Sequence, residues 1–581
     1  MNFISRQPLG SVIQGSLAGG LEVRLHPDIL VEDMRVGKFL VVQGVRSRFF
    51  CMLTDVALGI SNQRIVAYPP SWEDTFMRDI LAGSGTYGTI NLSPMLMFTP
   101  ESNESDFDHN NVDARSAKLK AAVDTSLASF QAQTSTTMQL MPVKTIPTHF
   151  SQVYDASEDD FRRVFGWEDD PQRKNFSIGQ PLDMDVPVCI DLNKFVERSN
   201  GVFGKSGTGK SFLTRLLLAG TIRKNAAVNL IFDMHSEYGW EAVSEGKNLS
   251  TVKGLKQLFP SNVEVYTLDP ESTKRRGVPH AQDLYLSYDQ IEVEDIKLCS
   301  RDLGLSEASI DNANILHAEF GKSWIVQLLN MTNEEIKIFC EEKRGHQGSI
   351  TALQRKLMRM DNLKYMRAAC PHNYINQVMN SLEAGKNVVV EFGSQSDMLS
   401  YMLVTNMITR RIHQQYVRKA EKFLQSKNPV DKPLQLMITI EEAHRFLDSA
   451  IVQSTIFGTI AREMRKYFVT LLVVDQRPSG IDNEVMSQVG TRITALLNDE
   501  KDIDAIFTGV SGAGGLKSVL AKLDSKQQAL ILGHAVPMPV VVRTRPYDSV
   551  FYQEIGDPDW EAKPDEEVFA AAKLAKADLG F

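Results

Sequence analysis

The first 180 residues of the chain run as short apolar stretches of alternating or β-branched character, each cut off by glycine or proline. Residues 11–14, 21–25, 38–45, 49–53 and 89–98 are of this kind, and 148–154 reads as a further strand. Period-two patterning over so few residues at a time predicts a small β barrel or sandwich. The polar stretch 101–116 interrupts it and is expected to be a loop.

Beyond residue 180 the period lengthens. Gly201-Val202-Phe203-Gly204 closes a short apolar run and opens a glycine-rich turn, and 211–223 repeats apolar residues at helical spacing. Residues 228–232 read as a buried strand. From 241 to 384 the pattern is mainly helical and charged, the mark of an insertion, with basic clusters at Lys274-Arg275-Arg276 and Lys343-Arg344. Strand and helix then alternate: strand 387–392, helix 397–424, strand 434–440, helix 454–467, strand 468–474. Such alternation predicts an α/β core with a parallel sheet covered on both faces. The expected organisation is a β barrel over 1–180, a core split into 181–240 and 385–550 around the 241–384 insertion, and an acidic, alanine-rich tail over 551–581.

Composition narrows the class. With 581 residues, 43% apolar and 23% charged, the chain is an ordinary folded protein able to bury more than one core. A net charge of −9 excludes a protein that coats nucleic acid over its whole surface, but leaves room for a local basic channel. Its five cysteines lie far apart with no C-x-x-C pair, so neither a zinc ribbon nor a disulfide framework is indicated. The first thirty residues, with Arg6, Glu22 and Arg24 among scattered apolar positions, do not show the basic-then-apolar order of a secretion signal, and no apolar run approaches the ~20 residues of a membrane span. A soluble, cytoplasmic protein without membrane contact is expected.

The strongest chemical signal is Gly204-Lys205-Ser206-Gly207-Thr208-Gly209-Lys210-Ser211, followed by Phe212. It has the phosphate-loop spacing and lies between a predicted strand and a predicted helix. Glycines let successive N–H groups curl around phosphate oxygens, and the helix N-terminus adds its positive end. Lys210 would reach the β- and γ-phosphates of ATP and the Ser211 hydroxyl would ligate Mg²⁺. Hydrolysis needs acid as well, and the run Leu436-Met437-Ile438-Thr439-Ile440 delivers Glu441 and Glu442 at a strand end. Strand ends meet the ligand crevice in such sheets. Glu441 would hold Mg²⁺ through water and Glu442 would orient or deprotonate the attacking water. The usual first residue of this pair is aspartate, and glutamate is a departure.

Phe203 to Ser211, Ile231-Phe232-Asp233-Met234-His235-Ser236-Glu237-Tyr238, Ile440 to His444, Ile460 to Lys466, Asp475-Gln476-Arg477-Pro478-Ser479 and Ala529 to Pro539 follow one another as in the HerA family of hexameric DNA-translocating ATPases, relatives of FtsK. The resemblance is clear in the core and weaker in the first 180 residues, where the family carries a small β barrel. It implies a RecA-like P-loop fold and a homohexameric ATPase, a translocase or helicase, moving on double-stranded DNA. It makes Gln476 a polar sensor of the γ-phosphate and Arg465, with Arg462 second, an arginine finger entering the neighbouring subunit's site. Asp233, His235 and Glu237 would lie close to the nucleotide, and Arg492, Arg543 and Arg545 would reach nucleotide or a neighbour. His444 would couple the Glu442 loop to its surroundings. A separately encoded partner is implied, a NurA-like nuclease in DNA-end repair or an effector in antiviral defence. Two other readings remain: a hexameric scaffold that activates its partner with ATP turnover as regulator, and a secretion or conjugation ATPase of the same superfamily.

Overall fold

The structure is a computed structural model that describes residues 7–61, 65, 67, 69–100, 138–243, 251–510, 514–524 and 527–555. The expected polar loop at 101–116 and residues 556–581 of the expected tail lie outside the described residues.

The alternating stretches near the N-terminus pair as antiparallel strands in the order Gly20–Leu25, Gly10–Ser16, Gln152–Asp155, Phe39–Gln43, Arg48–Ile60, Thr86–Pro100 and Met138–Pro142. Gly20–Leu25 also pairs with Thr86–Pro100, which closes the sheet into a barrel with Met138–Pro142 left as its outer strand. Alternation explains why both faces of one strand are apolar. Leu40 and Val42 point into the barrel core, whereas Phe39 and Val41 join the larger core outside it. There Phe39 stacks on Phe50, and both rings meet the edge of Phe161.

The second unit is built on a sheet of twelve strands. Eight run parallel in the order Gln282–Asp283, Val263–Thr267, Asn387–Glu391, Val228–Asp233, Leu436–Glu441, Val469–Asp475, Asn200–Phe203 and Thr491–Thr494. Their central members are buried throughout, as strands covered on both faces must be. An antiparallel edge of Gln528–Gly533, Val540–Thr544, Asn175–Gln180 and Val188–Asp191 extends the sheet. Asn175–Gln180, expected with the barrel, thus pairs in this sheet. Likewise Val263–Thr267 is a core strand inside the region expected to be a helical insertion. Residues 551–555, expected in the tail, complete the helix Ser549–Ile555, and its Phe551 and Tyr552 are buried. Among the described residues no helix is long and apolar enough to cross a membrane.

Candidate nucleotide site

The strand Asn200–Phe203 ends at Gly204, and the turn that follows places Gly207 at φ +75° and Gly209 at φ +91°. A side chain at either position would strain the left-handed backbone, which is why the loop requires glycine there. The turn is tied internally: the Thr208 hydroxyl donates to the Lys205 carbonyl at 2.6 Å and Lys210 Nζ donates to the same oxygen at 3.1 Å. The helix Lys210–Arg223 begins at Gly209 with no side-chain cap. Its dipole points positive end first into the loop, which favours an anion there.

A cavity of about 200 Å³ opens over this loop. Ser206, Gly207, Gly209, Lys210, Ser211 and Phe212 line one side, and Glu441, Glu442, Asp475 and Gln476 line the other. The sequence-predicted loop and acids thus share one space, because the loop strand is separated from the Glu441 strand by a single strand, Val469–Asp475. Gly204, Lys205 and Thr208 stand behind the lining, supporting the turn.

The two glutamates are held differently. Glu441 is buried, and its Oε1 accepts from the Tyr238 hydroxyl at 2.8 Å, while Oε2 is buried without a hydrogen-bond partner. Burial, reinforced by the nearby Glu237 and Asp233 carboxylates, pushes its carboxyl well above the ordinary range. Among the described residues no three acidic, histidine or cysteine side chains form a metal site by themselves, but the bare Glu441 oxygen is a hard donor that fits a divalent cation shared with the Ser211 hydroxyl and a bound phosphate. Glu442 takes φ +47°, uncommon for a residue with a Cβ and strained by roughly 1–3 kcal/mol. Gln476 Nε2 donates to Glu442 Oε1 at 3.4 Å.

Asp475 joins these two loops. Its Oδ2 accepts from the His444 N–H at 2.7 Å and faces His444 Nδ1 at 2.9 Å, and its Oδ1 accepts from the Arg477 N–H at 2.7 Å. The Asp475 hydrogen bond, aided by the charges of Asp475 and Glu442, raises the His444 pKa. His444 Nδ1 also lies 3.6 Å from Glu442 Oε2. The expected coupling of the Glu442 loop through His444 therefore has a definite partner.

Asp233 sits deeper than expected. Its carboxylate accepts from the N–H groups of Glu237, Tyr238 and Gly239 at 2.7, 2.8 and 3.0 Å and winds the 233–239 loop around itself. It is fully buried and does not line the cavity, whereas His235 and Glu237 do. Three further arginines stand off this chain's own cavity. Arg492 donates to the carbonyls of Met486 and Ile506 inside the core, Arg545 pairs with Glu168 and Glu554, and Arg543 donates to the Leu182 carbonyl, so none of the three lines the cavity. Arg276, from one of the basic clusters, turns inward and pairs with buried Glu391. Lys343 is paired with Glu319 at 2.7 Å. Arg462 lies half-buried on the helix Ile456–Glu463, off the lining of this chain's own cavity. Arg465 is in the 3-10 turn Met464–Tyr467, and its side chain lies outside what the structure describes.

Two cavity neighbours escaped sequence reasoning. Arg215, one turn beyond the phosphate loop, donates from Nε to the Glu237 carbonyl at 2.7 Å with its guanidinium over the Phe212 ring. Its four-residue spacing from Ser211 on one helix face was the available signal. Tyr238 had no such signal, since its hydroxyl's partner lies 203 residues away.

A phosphate loop, a facing pair of acids on the second strand along, and a polar residue at the end of the strand between them define a RecA-like P-loop nucleotide-binding core, here carrying an N-terminal β barrel. Residues 176–412 match the family model described as the central domain of the helicase HerA, and residues 9–106 match the HAS barrel domain. The resemblance to the HerA family therefore holds across both units of the chain. The DNA double-strand break repair helicase HerA of Pyrococcus furiosus is 24% identical over 425 residues, 70% of this chain and 74% of that protein. Its counterpart in Sulfolobus acidocaldarius is 23% identical over 420 residues, 71% of this chain and 77% of that one. The solved structure of VirB4 of Thermoanaerobacter pseudethanolicus is 12% identical with a TM-score of 0.41, covering 65% of this chain and 97% of its own.

Proposed function

We propose that this chain is a Mg²⁺-dependent ATPase that assembles as a homohexameric ring and translocates on double-stranded DNA in the cytoplasm, serving a separately encoded nuclease or defence effector. The observation that carries the reading is the convergence on one cavity of the loop Ser206–Ser211, the acids Glu441 and Glu442, and Gln476. The HerA helicases it resembles supply the substrate class.

The loop N–H groups and Lys210 would hold the phosphates and leave the γ-phosphate facing Glu442. Ser211 and Glu441 would hold Mg²⁺, which when bound offsets the charge of the phosphate oxygens. Glu442 would orient the attacking water and take its proton, with Gln476 fixing the rotamer of Glu442 and donating to the water or phosphate. Arg465, or Arg462, would reach the neighbouring subunit's leaving phosphate and so couple hydrolysis to the subunit contact. Grip without sequence preference suits phosphate contacts, so activity on DNA should weaken with salt.

The test is ATP hydrolysis by the purified protein with and without long duplex DNA, beside Glu442→Gln. DNA stimulation that is lost together with turnover in the variant supports the translocase. Turnover indifferent to DNA, with partner activation surviving Glu442→Gln, would put the scaffold reading in its place.

A further inference from the structure

Two tyrosines grip Glu441, and they grip different parts of it. Tyr401 OH accepts from the Glu441 N–H at 2.8 Å and donates to its carbonyl at 3.2 Å, so it fixes the strand end. Tyr238 OH touches only the carboxylate, at Oε1. The other oxygen, Oε2, is buried without a hydrogen-bond partner, on a residue that lines the cavity.

We infer that Tyr238 is the positioning residue of this site: by holding Oε1 it fixes the carboxylate's rotation and reserves Oε2 for the metal and its water. This rests on the Mg²⁺-dependent reading above. The hydroxyl is able to do so because Tyr238 itself has little freedom. It is completely buried, its N–H donates to Asp233 at 2.8 Å, and its carbonyl accepts from the Leu255 N–H at 2.8 Å. Asp233, fixed on a central strand, holds the next residue too, through the Gly239 N–H. Gly239 lies directly against the Glu391 carboxylate, where any Cβ would collide with it. The loop is thereby clamped between two adjacent strand ends, Asp233 and Glu391, which stand opposite each other in register. A carboxylate with one oxygen tied by a neutral donor keeps its charge for the other, and partners of this kind orient metal ligands in general.

The decisive variant is Tyr238→Phe, which removes the hydroxyl and keeps the buried ring. The full-length protein is saturated with ADP and titrated with Mn²⁺, and the free ion is followed by its paramagnetic resonance signal. Removing an outer partner of a metal ligand typically costs ~10–100-fold in affinity, so at least a tenfold weaker Mn²⁺ site is expected, with ADP affinity in the absence of metal unchanged. Tyr401→Phe, which loosens the same strand end without touching the carboxylate, should keep Mn²⁺ affinity. In a Glu441→Gln background, Tyr238→Phe should add no further loss. Mn²⁺ affinity within twofold of the parent in Tyr238→Phe overturns the inference, as does an equal loss in Tyr401→Phe. A parent protein that binds ADP but no Mn²⁺ overturns the metal-dependent reading itself.

Discussion

Replacing Arg276 by methionine should destabilise the protein by an amount that grows with pH. Glu391 is fully buried at the end of its strand, and the Arg276 guanidinium is its ion-pair partner. Burial pushes the Glu391 carboxyl from its ordinary 4.5 up to about 6, while Arg276 pulls against that rise. A carboxyl raised in the native state binds its proton more tightly folded than unfolded. It therefore withdraws stability as pH climbs from 4.5 through 6, and at 1.36 kcal/mol per tenfold change in proton affinity that loss levels off near about 2 kcal/mol. Without Arg276 the carboxyl stays protonated to higher pH and the loss keeps growing. At pH 5.5, below the Glu391 pKa of the parent, parent and variant then differ little in this contribution, and by pH 8 the difference reaches roughly 1–3 kcal/mol. Breaking a buried pair commonly costs ~3–5 kcal/mol in all, so the ionisation share is large enough to see. Urea unfolding of the full chain at the two pH values measures it, and Glu391→Gln in the same background should flatten the pH dependence. A destabilisation equal at both pH values, or one that Glu391→Gln leaves in place, refutes the reasoning.

Gly239→Ala should lower stability by roughly 1–3 kcal/mol, since Glu391 is pinned by Arg276 and has no room to retreat; thermal unfolding of the variant checks it. Arg492→Met should lower the melting temperature, by loss of a buried guanidinium that bonds two carbonyls, while ATP affinity measured by equilibrium binding stays at the parent value. Lys210→Ala should weaken ATP binding at least tenfold with the fold intact, read by titration with a fluorescent ATP analogue and by circular dichroism. DNA-stimulated turnover should fall steeply between 50 and 200 mM salt, roughly linearly on logarithmic axes, while DNA-free turnover changes little.

The phosphate loop and the Glu441-Glu442 pair were legible because their chemistry is local: a fixed spacing of glycines, and two acids ending a β-branched run. The barrel strands were legible for the same reason, each announcing itself by alternation. Val263–Thr267 was not, because five alternating residues among charged helical sequence carry too little period to outweigh their surroundings. Asn175–Gln180 was assigned with the barrel because the partner that joins it to the core sheet arrives only at Val540–Thr544. Within the basic cluster Lys274-Arg275-Arg276, nothing local marks Arg276 as the one that answers a buried glutamate over 100 residues further on. Tyr238 and Asp475 share this limit, as their roles are set by partners that only the fold brings near.

The strand that leads into the phosphate loop has neighbours that the ribosome makes late. Asn200–Phe203 is flanked by Val469–Asp475 on one side and Thr491–Thr494 on the other, so it waits for some 270 residues of further synthesis before either side of it is covered. Until then its edges are open and the acids that complete the cavity are absent or unplaced. A growing chain is thus unable to spend ATP before most of its core exists, and a message cut short within that interval yields a barrel with no motor attached.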